Sequence, residues 1–120
     1  MLTDGHMPFR ATCERVGDAV LVRVTGELDC STAQFLSDRL GEAVRSVVAP
    51  ATVVVDLTGL RFLGAQGIGL LLDHQDLCLR RGSALVVVAN SAAVLRPLQA
   101  LELTSVLGVR PSVPQALVRA

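Results

Sequence analysis

Two short apolar runs rich in β-branched residues, Thr52-Val53-Val54-Val55-Asp56-Leu57 and Ala84-Leu85-Val86-Val87-Val88-Ala89, constrain this chain more than anything else in it. Neither alternates apolar with polar, so each needs cover on both faces, the condition of a central strand in a parallel sheet. Between them, Gly67 to Arg81 carries Ile68, Leu71, Leu72, Cys78 and Leu79 at helical spacing, ends in Arg80-Arg81 and meets Gly82 as a C-terminal cap. The spacing predicts a strand, helix, strand crossover.

The remaining segments arrange themselves around that unit. Phe9, Ala11 and Cys13 alternate with Arg10, Thr12 and Glu14, and Gly17-Asp18 supplies a turn before Ala19 to Val24, which predicts a hairpin. Ser31 with Gln34 has the form of a capping box, opening a helix that faces inward through Ala33, Leu36, Leu40, Ala43 and Val47 and stops before Pro50. A third helix is expected from Asn90 or Ser91, burying Val94, Leu95, Leu98 and Leu101, with Pro97 kinking it or delaying its start. Thr104 to Val109 reads as a short edge strand, and Ser112 caps a last helix through Pro114 toward Val118. The expected fold class is α/β: a single mixed β-sheet, antiparallel in its first hairpin and parallel at its centre, with about four helices packed on it. Residues 1–8 read as a flexible leader and 9–120 as one domain.

Composition narrows the function. Residues are 51% hydrophobic and only 2% aromatic, with no Trp and no Tyr, so the core is aliphatic and there are no base-stacking platforms. Eleven basic residues balance eleven acidic ones, which leaves no basic footprint for nucleic acid. All the basic residues are Arg, and the absence of Lys removes Schiff-base chemistry, the phosphate-loop lysine and any Ser-Lys dyad. Cys13, Cys30 and Cys78 form no metal-binding spacing and suit a reducing cytoplasm. The longest apolar candidate, Ile68 to Leu72, is cut by Asp73, so no membrane association is expected.

In open α/β sheets the reactive position is the turn after a central strand, here Gly64-Ala65-Gln66-Gly67. Its G-x-x-G-x-G spacing is not that of a phosphate loop, and no Ser, Thr or Cys lies between Phe62 and Leu72 to act as a nucleophile. Glu27, Asp29, Asp56, Asp73 and Asp76 could formally supply an acid and base pair. Asp29 reads equally well as a helix-entry residue, and Asp73, His74 and Asp76 as the solvated face of a helix. His6 and His74 have no partner at ligand spacing. No enzyme activity, metal or cofactor is expected.

Val24-Thr25-Gly26-Glu27-Leu28-Asp29, then Val53 through Leu63, then Gly64-Ala65-Gln66-Gly67-Ile68-Gly69, in this order, resemble a STAS domain of the bacterial anti-sigma factor antagonist branch. The resemblance runs from about Phe9 to the C-terminus. It implies a STAS-like fold and a non-enzymatic regulator that binds a kinase-like anti-sigma factor, displaces a sigma factor and is silenced by phosphorylation at the strand-to-helix turn. It also implies a partner surface made of Glu27, Asp29, Gly64, Ala65, Gln66 and Gly67. The family's D-S-S-G pattern becomes Gly64-Ala65-Gln66-Gly67 here, with Gly64 at the Asp, Ala65 at the phosphoacceptor and Gln66 at the next polar residue. Ala65 cannot carry a phosphate, so the expected regulation is absent at that position or lies elsewhere, for example at Cys30, beside Asp29 near a helix start. The alternative within the resemblance is a STAS subunit of another assembly, such as a lipid-transporting ABC complex or a stress-sensing scaffold.

Overall fold

The computed structural model describes residues 8–118; the expected leader, apart from Pro8, lies outside the described residues. Eight elements follow in order: β1 (Arg10–Val16), β2 (Ala19–Leu28), α1 (Ala33–Ser46), β3 (Thr52–Leu63), α2 (Ala65–Arg80), β4 (Ala84–Val88), α3 (Ala92–Ala100) and α4 (Val113–Val118). The strands form one sheet in the order β1-β2-β3-β4. β1 runs antiparallel to β2, with Arg10 opposite Thr25, while β2 with β3 and β3 with β4 are parallel.

Alternation along the strands divides the core. Val22, Val24, Val53, Val55, Leu57 and Val87 join Leu36 and Leu40 of α1, Leu71 of α2 and Leu98 of α3 in the larger cluster. The opposite face buries Leu21, Val54, Val86 and Val88 mainly against Ala116 of α4. Among the described residues, every buried hydrophobic side chain is Val, Leu, Ile, Ala or Cys. Each fully buried Leu or Val contributes roughly 1.5–3 kcal/mol relative to exposure, so the core holds without an aromatic payload.

Several local expectations give way to tertiary context. The capping box does not form: α1 starts at Ala33 after Thr32, Ser31 Oγ donates to Asp29 Oδ1 at 2.7 Å, and Gln34 Nε2 donates to Asp38 Oδ1. Ser31 lies one residue outside the N-cap position held by Thr32, and its hydroxyl donates to the ionised Asp29 carboxylate within the preceding turn. β3 does not stop at Leu57 but continues to Leu63, because β2 keeps pairing with it across two register shifts, Thr25 opposite Gly59 and Glu27 opposite Phe62.

On α2 the inward stripe is Ile68, Leu71, His74 and Cys78, and Leu79 is 60% exposed. His74, expected on the solvated face, is buried because it falls three residues after Leu71 and four before Cys78, on the face of α2 turned to the core. Its Nδ1 lies 2.8 Å from the Leu70 carbonyl, which can only accept, so the proton is on Nδ1. In α3, Pro97 lies inside the helix rather than delaying it; Val94 and Leu98 are buried, and Leu101 is exposed at the C-cap. Thr104 to Val109 forms turns instead of a strand; its Leu107 carbonyl accepts the Val87 N–H, and just beyond it Arg110 makes an isolated parallel bridge with Val88. The sheet therefore ends at β4.

Candidate functional site

The parallel pairing of β2 and β3 brings their C-terminal ends together, and with them the starts of α1 and α2. Leu28 lies opposite Leu63, and one residue beyond, the Gly64 N–H donates to the Leu28 carbonyl at 3.0 Å. That bond ties the Glu27 to Asp29 segment to the Gly64 to Gly67 turn, so the structure gathers both halves of the expected surface at one end of the sheet.

Asp29 builds its half. Its Oδ1 accepts from the Ser31 N–H at 2.9 Å, the Ser31 hydroxyl at 2.7 Å and the Thr32 N–H at 3.3 Å, while its carbonyl takes the Ala33 N–H at 2.9 Å. Thr32 locks the turn from the other side: its hydroxyl donates to the Glu27 carbonyl at 2.9 Å and accepts the Asp29 N–H at 3.0 Å. The Ser31 hydroxyl, and then the Ser31 N–H, hold the Asp29 carboxyl below the usual carboxylate range, so it is ionised at neutral pH. Asp29 thus organises the entry to α1, one of the roles its sequence position suggested.

The other half is backbone. Gly64 precedes α2 in extended conformation, and Ala65 and Gln66 are exposed in the first turn, where the N–H groups have no intrahelical acceptor. Gly67 is buried: a β-carbon there would fall 2.4 Å from Leu28 Cδ2 and 2.9 Å from Leu63 Cδ1. Its part is to let α2 approach the strand ends, rather than to offer a side chain. Cys30 is exposed in the β2 to α1 turn, whereas Cys78 is buried and Cys13 partly so, and all three thiols are free. Asp56 lies away from this end and spends Oδ1 on the Thr58 N–H and hydroxyl, at 3.0 and 2.8 Å.

Two residues at this end were given no role from the sequence: Phe62, although it lies inside the second motif, and Phe35, which lies outside all three. Phe62 pairs with Glu27 across β2 and β3, and its ring overlies Gly64, with Cε2 only 3.2 Å from where a β-carbon would be. Phe35, in the first turn of α1, meets Phe9 in a tilted pair with ring centroids 6.3 Å apart. Scarcity of aromatics was the available signal, but scarcity alone does not say which ones the core excludes.

The chemistry of this end is hydrogen bonding, charge and apolar contact. It contains no hydroxyl on α2, and no group of three or more His, Cys, Asp or Glu among the described residues could hold a metal ion. No described helix is long and apolar enough to cross a membrane.

Comparison with known proteins places the arrangement. A Mycobacterium tuberculosis protein provisionally named an anti-anti-sigma factor is 35% identical over 116 residues, covering 97% of this chain and 78% of that protein. RsfA, the anti-sigma-F factor antagonist of Mycobacterium tuberculosis, is 32% identical over 109 residues, covering 91% of this chain and 85% of its own length. The crystal structure of an anti-sigma factor antagonist from Mycobacterium paratuberculosis superposes with a TM-score of 0.84 at 27% identity, over 97% of this chain and 96% of that one. The STAS domain family matches residues 10–116, a span that includes the whole sheet and both halves of the surface at its C-terminal end, and this chain belongs to that family.

Proposed function

We propose that this chain is a non-enzymatic cytoplasmic regulator that binds a kinase-like anti-sigma factor and so releases a sigma factor, without phosphorylation at its strand-to-helix turn. The relatives named as antagonists match it over most of their length and favour this reading over a subunit of a transporter or stress scaffold. The contact surface is the joined end of β2 and β3: Glu27, Asp29, Gly64, Ala65 and Gln66, with Gly67 supporting it from below.

One observation carries the regulatory half of the proposal. From Gly64 through Arg80, the turn and all of α2, there is no Ser, Thr or Tyr. A phosphate at the exposed start of α2 would add roughly two negative charges to a surface that must dock, and this sequence offers no hydroxyl to carry it.

The test titrates each anti-sigma factor of the source organism, purified singly, with this chain by calorimetry, before and after incubation with ATP and Mg²⁺. The expected outcome is saturable binding to one of them, release of its sigma factor, and an unchanged mass for the peptide covering residues 64–80. Binding to none, or no sigma release, overturns the proposal. Ala65→Asp, which puts a permanent charge at the turn, should weaken binding by about tenfold or more.

A further inference from the structure

We infer that Phe62 is the principal apolar anchor for the bound anti-sigma factor, with the Phe9–Phe35 pair as a second contact across the strand ends. The partner would then present an apolar socket rimmed by a cation. The inference rests on the antagonist reading and adds to it the residues that supply affinity.

Placement supports it first. The three Phe residues are the only aromatics in the chain; Phe9 is half-buried against the edge of the main cluster, while Phe62 and Phe35 lie outside the core. Phe62 is 49% and Phe35 61% exposed. Both lie at the end of the sheet where β2, β3, α1 and α2 meet, although they belong to different elements. Phe62 overlies Gly64 and is the register partner of Glu27. On the other side of β2, the Phe9 backbone presses on Gly26, where a β-carbon would come within 2.9 Å of the Phe9 Cα, and Phe9 in turn carries Phe35. The Gly26-Glu27 segment therefore runs between the two aromatic groups.

Charge indicates what the partner brings. Among the described residues, Glu27 makes no salt bridge; the two ion pairs are Arg39 with Glu42 and Arg80 with Asp76. Asp29 adds a second carboxylate at the same end. An unpaired Glu beside a half-exposed aromatic is complemented by a socket with Arg or Lys at its rim. Large rigid side chains of this kind lose little rotamer entropy on binding and dominate interface energetics when they fill pockets. The remaining large exposed apolar residues, such as Val48, Leu101 and Val118, are aliphatic.

The full chain and four variants, Phe62→Ala, Phe35→Ala, Glu27→Gln and Val48→Ala, are titrated by calorimetry into each purified anti-sigma factor of the source organism, at low and moderate salt. Thermal melting by circular dichroism reports whether each variant folds. Phe62→Ala should weaken binding roughly thirtyfold or more and Phe35→Ala about fivefold, with Val48→Ala unchanged. Glu27→Gln should flatten the salt dependence. If the native chain binds but folded Phe62→Ala and Phe35→Ala bind within about twofold of it, the anchor assignment is wrong while the antagonist reading stands. If Phe62→Ala fails to fold, Phe35→Ala and Glu27→Gln decide the matter by the same criteria. If the native chain binds none of them, the antagonist reading fails, and the anchor with it.

Discussion

Gly67 and Gly69 sit close together on α2 and should respond to alanine with opposite signs. A methyl at Gly67 collides with Leu28 and Leu63, so Gly67→Ala should cost about 1–3 kcal/mol despite the better helix propensity of alanine. At Gly69 a β-carbon meets nothing within 4 Å, and Gly69→Ala should stabilise by about 0.5–1 kcal/mol. Urea unfolding midpoints check both. Asp29 gives a pH signature. Its carboxyl titrates below the usual range when folded, so its stabilising effect is complete at neutral pH and disappears as pH falls through the folded value. Ser31→Ala removes the largest cause, the hydroxyl bond, and should move the Asp29 titration midpoint upward in carbon-detected NMR. The cysteines divide as well. Burial pushes the Cys78 thiol up, and burial with the Glu42 charge does the same for Cys13, whereas Cys30 is exposed. A disulfide reagent should therefore label one thiol quickly in the folded protein and the others only on unfolding, with Cys30→Ser abolishing the fast phase.

At the scale of elements, the segment from Thr104 to Val109 is the most instructive. Its composition suits a strand, yet it folds into turns, bonding to the sheet through the Val87 N–H to the Leu107 carbonyl at 3.0 Å and the Arg110 N–H to the Val87 carbonyl at 2.9 Å. Leu107 is fully buried in the main cluster, so Leu107→Ala should destabilise by about 2–5 kcal/mol in denaturant unfolding although it lies outside any helix or strand. The two central strands, the α2 crossover and the hairpin were legible in the sequence because periodicity and punctuation agree there. The second half of β3 was not, since Thr58-Gly59 looks like a loop until Thr25 and Gly59 pair, and pairing depends on residues far away in sequence. His74 was misplaced for a different reason: it falls three residues after Leu71 and four before Cys78, on the buried stripe, and its polarity masks that spacing. At the candidate site, the turns and Asp29 could be read from motif order, whereas the exposure of Phe62, a motif residue, and of Phe35 depends on which faces the core takes up.

The whole molecule is unequally covered. Three helices contribute to the larger cluster, and the other face of the sheet depends on α4, a six-residue helix whose Val118 is largely exposed. Short, thinly packed elements open at lower free energy than central strands, so native-state hydrogen exchange should find the α4 amides unprotected while those of β3 report global unfolding. The antiparallel first hairpin has a practical outcome. Because β1 begins where β2 ends, Pro8 and Phe9 lie beside Gly26, at the end with the aromatics and the Asp29 turn. Ala116 and Leu117 instead border an open cleft of about 710 Å³ with Gly17, Asp18 and Pro50, at the opposite end of the sheet. An affinity tag or sensor tether attached ahead of residue 8 would therefore crowd the proposed contact surface, whereas one attached after residue 118 would leave that surface facing the analyte.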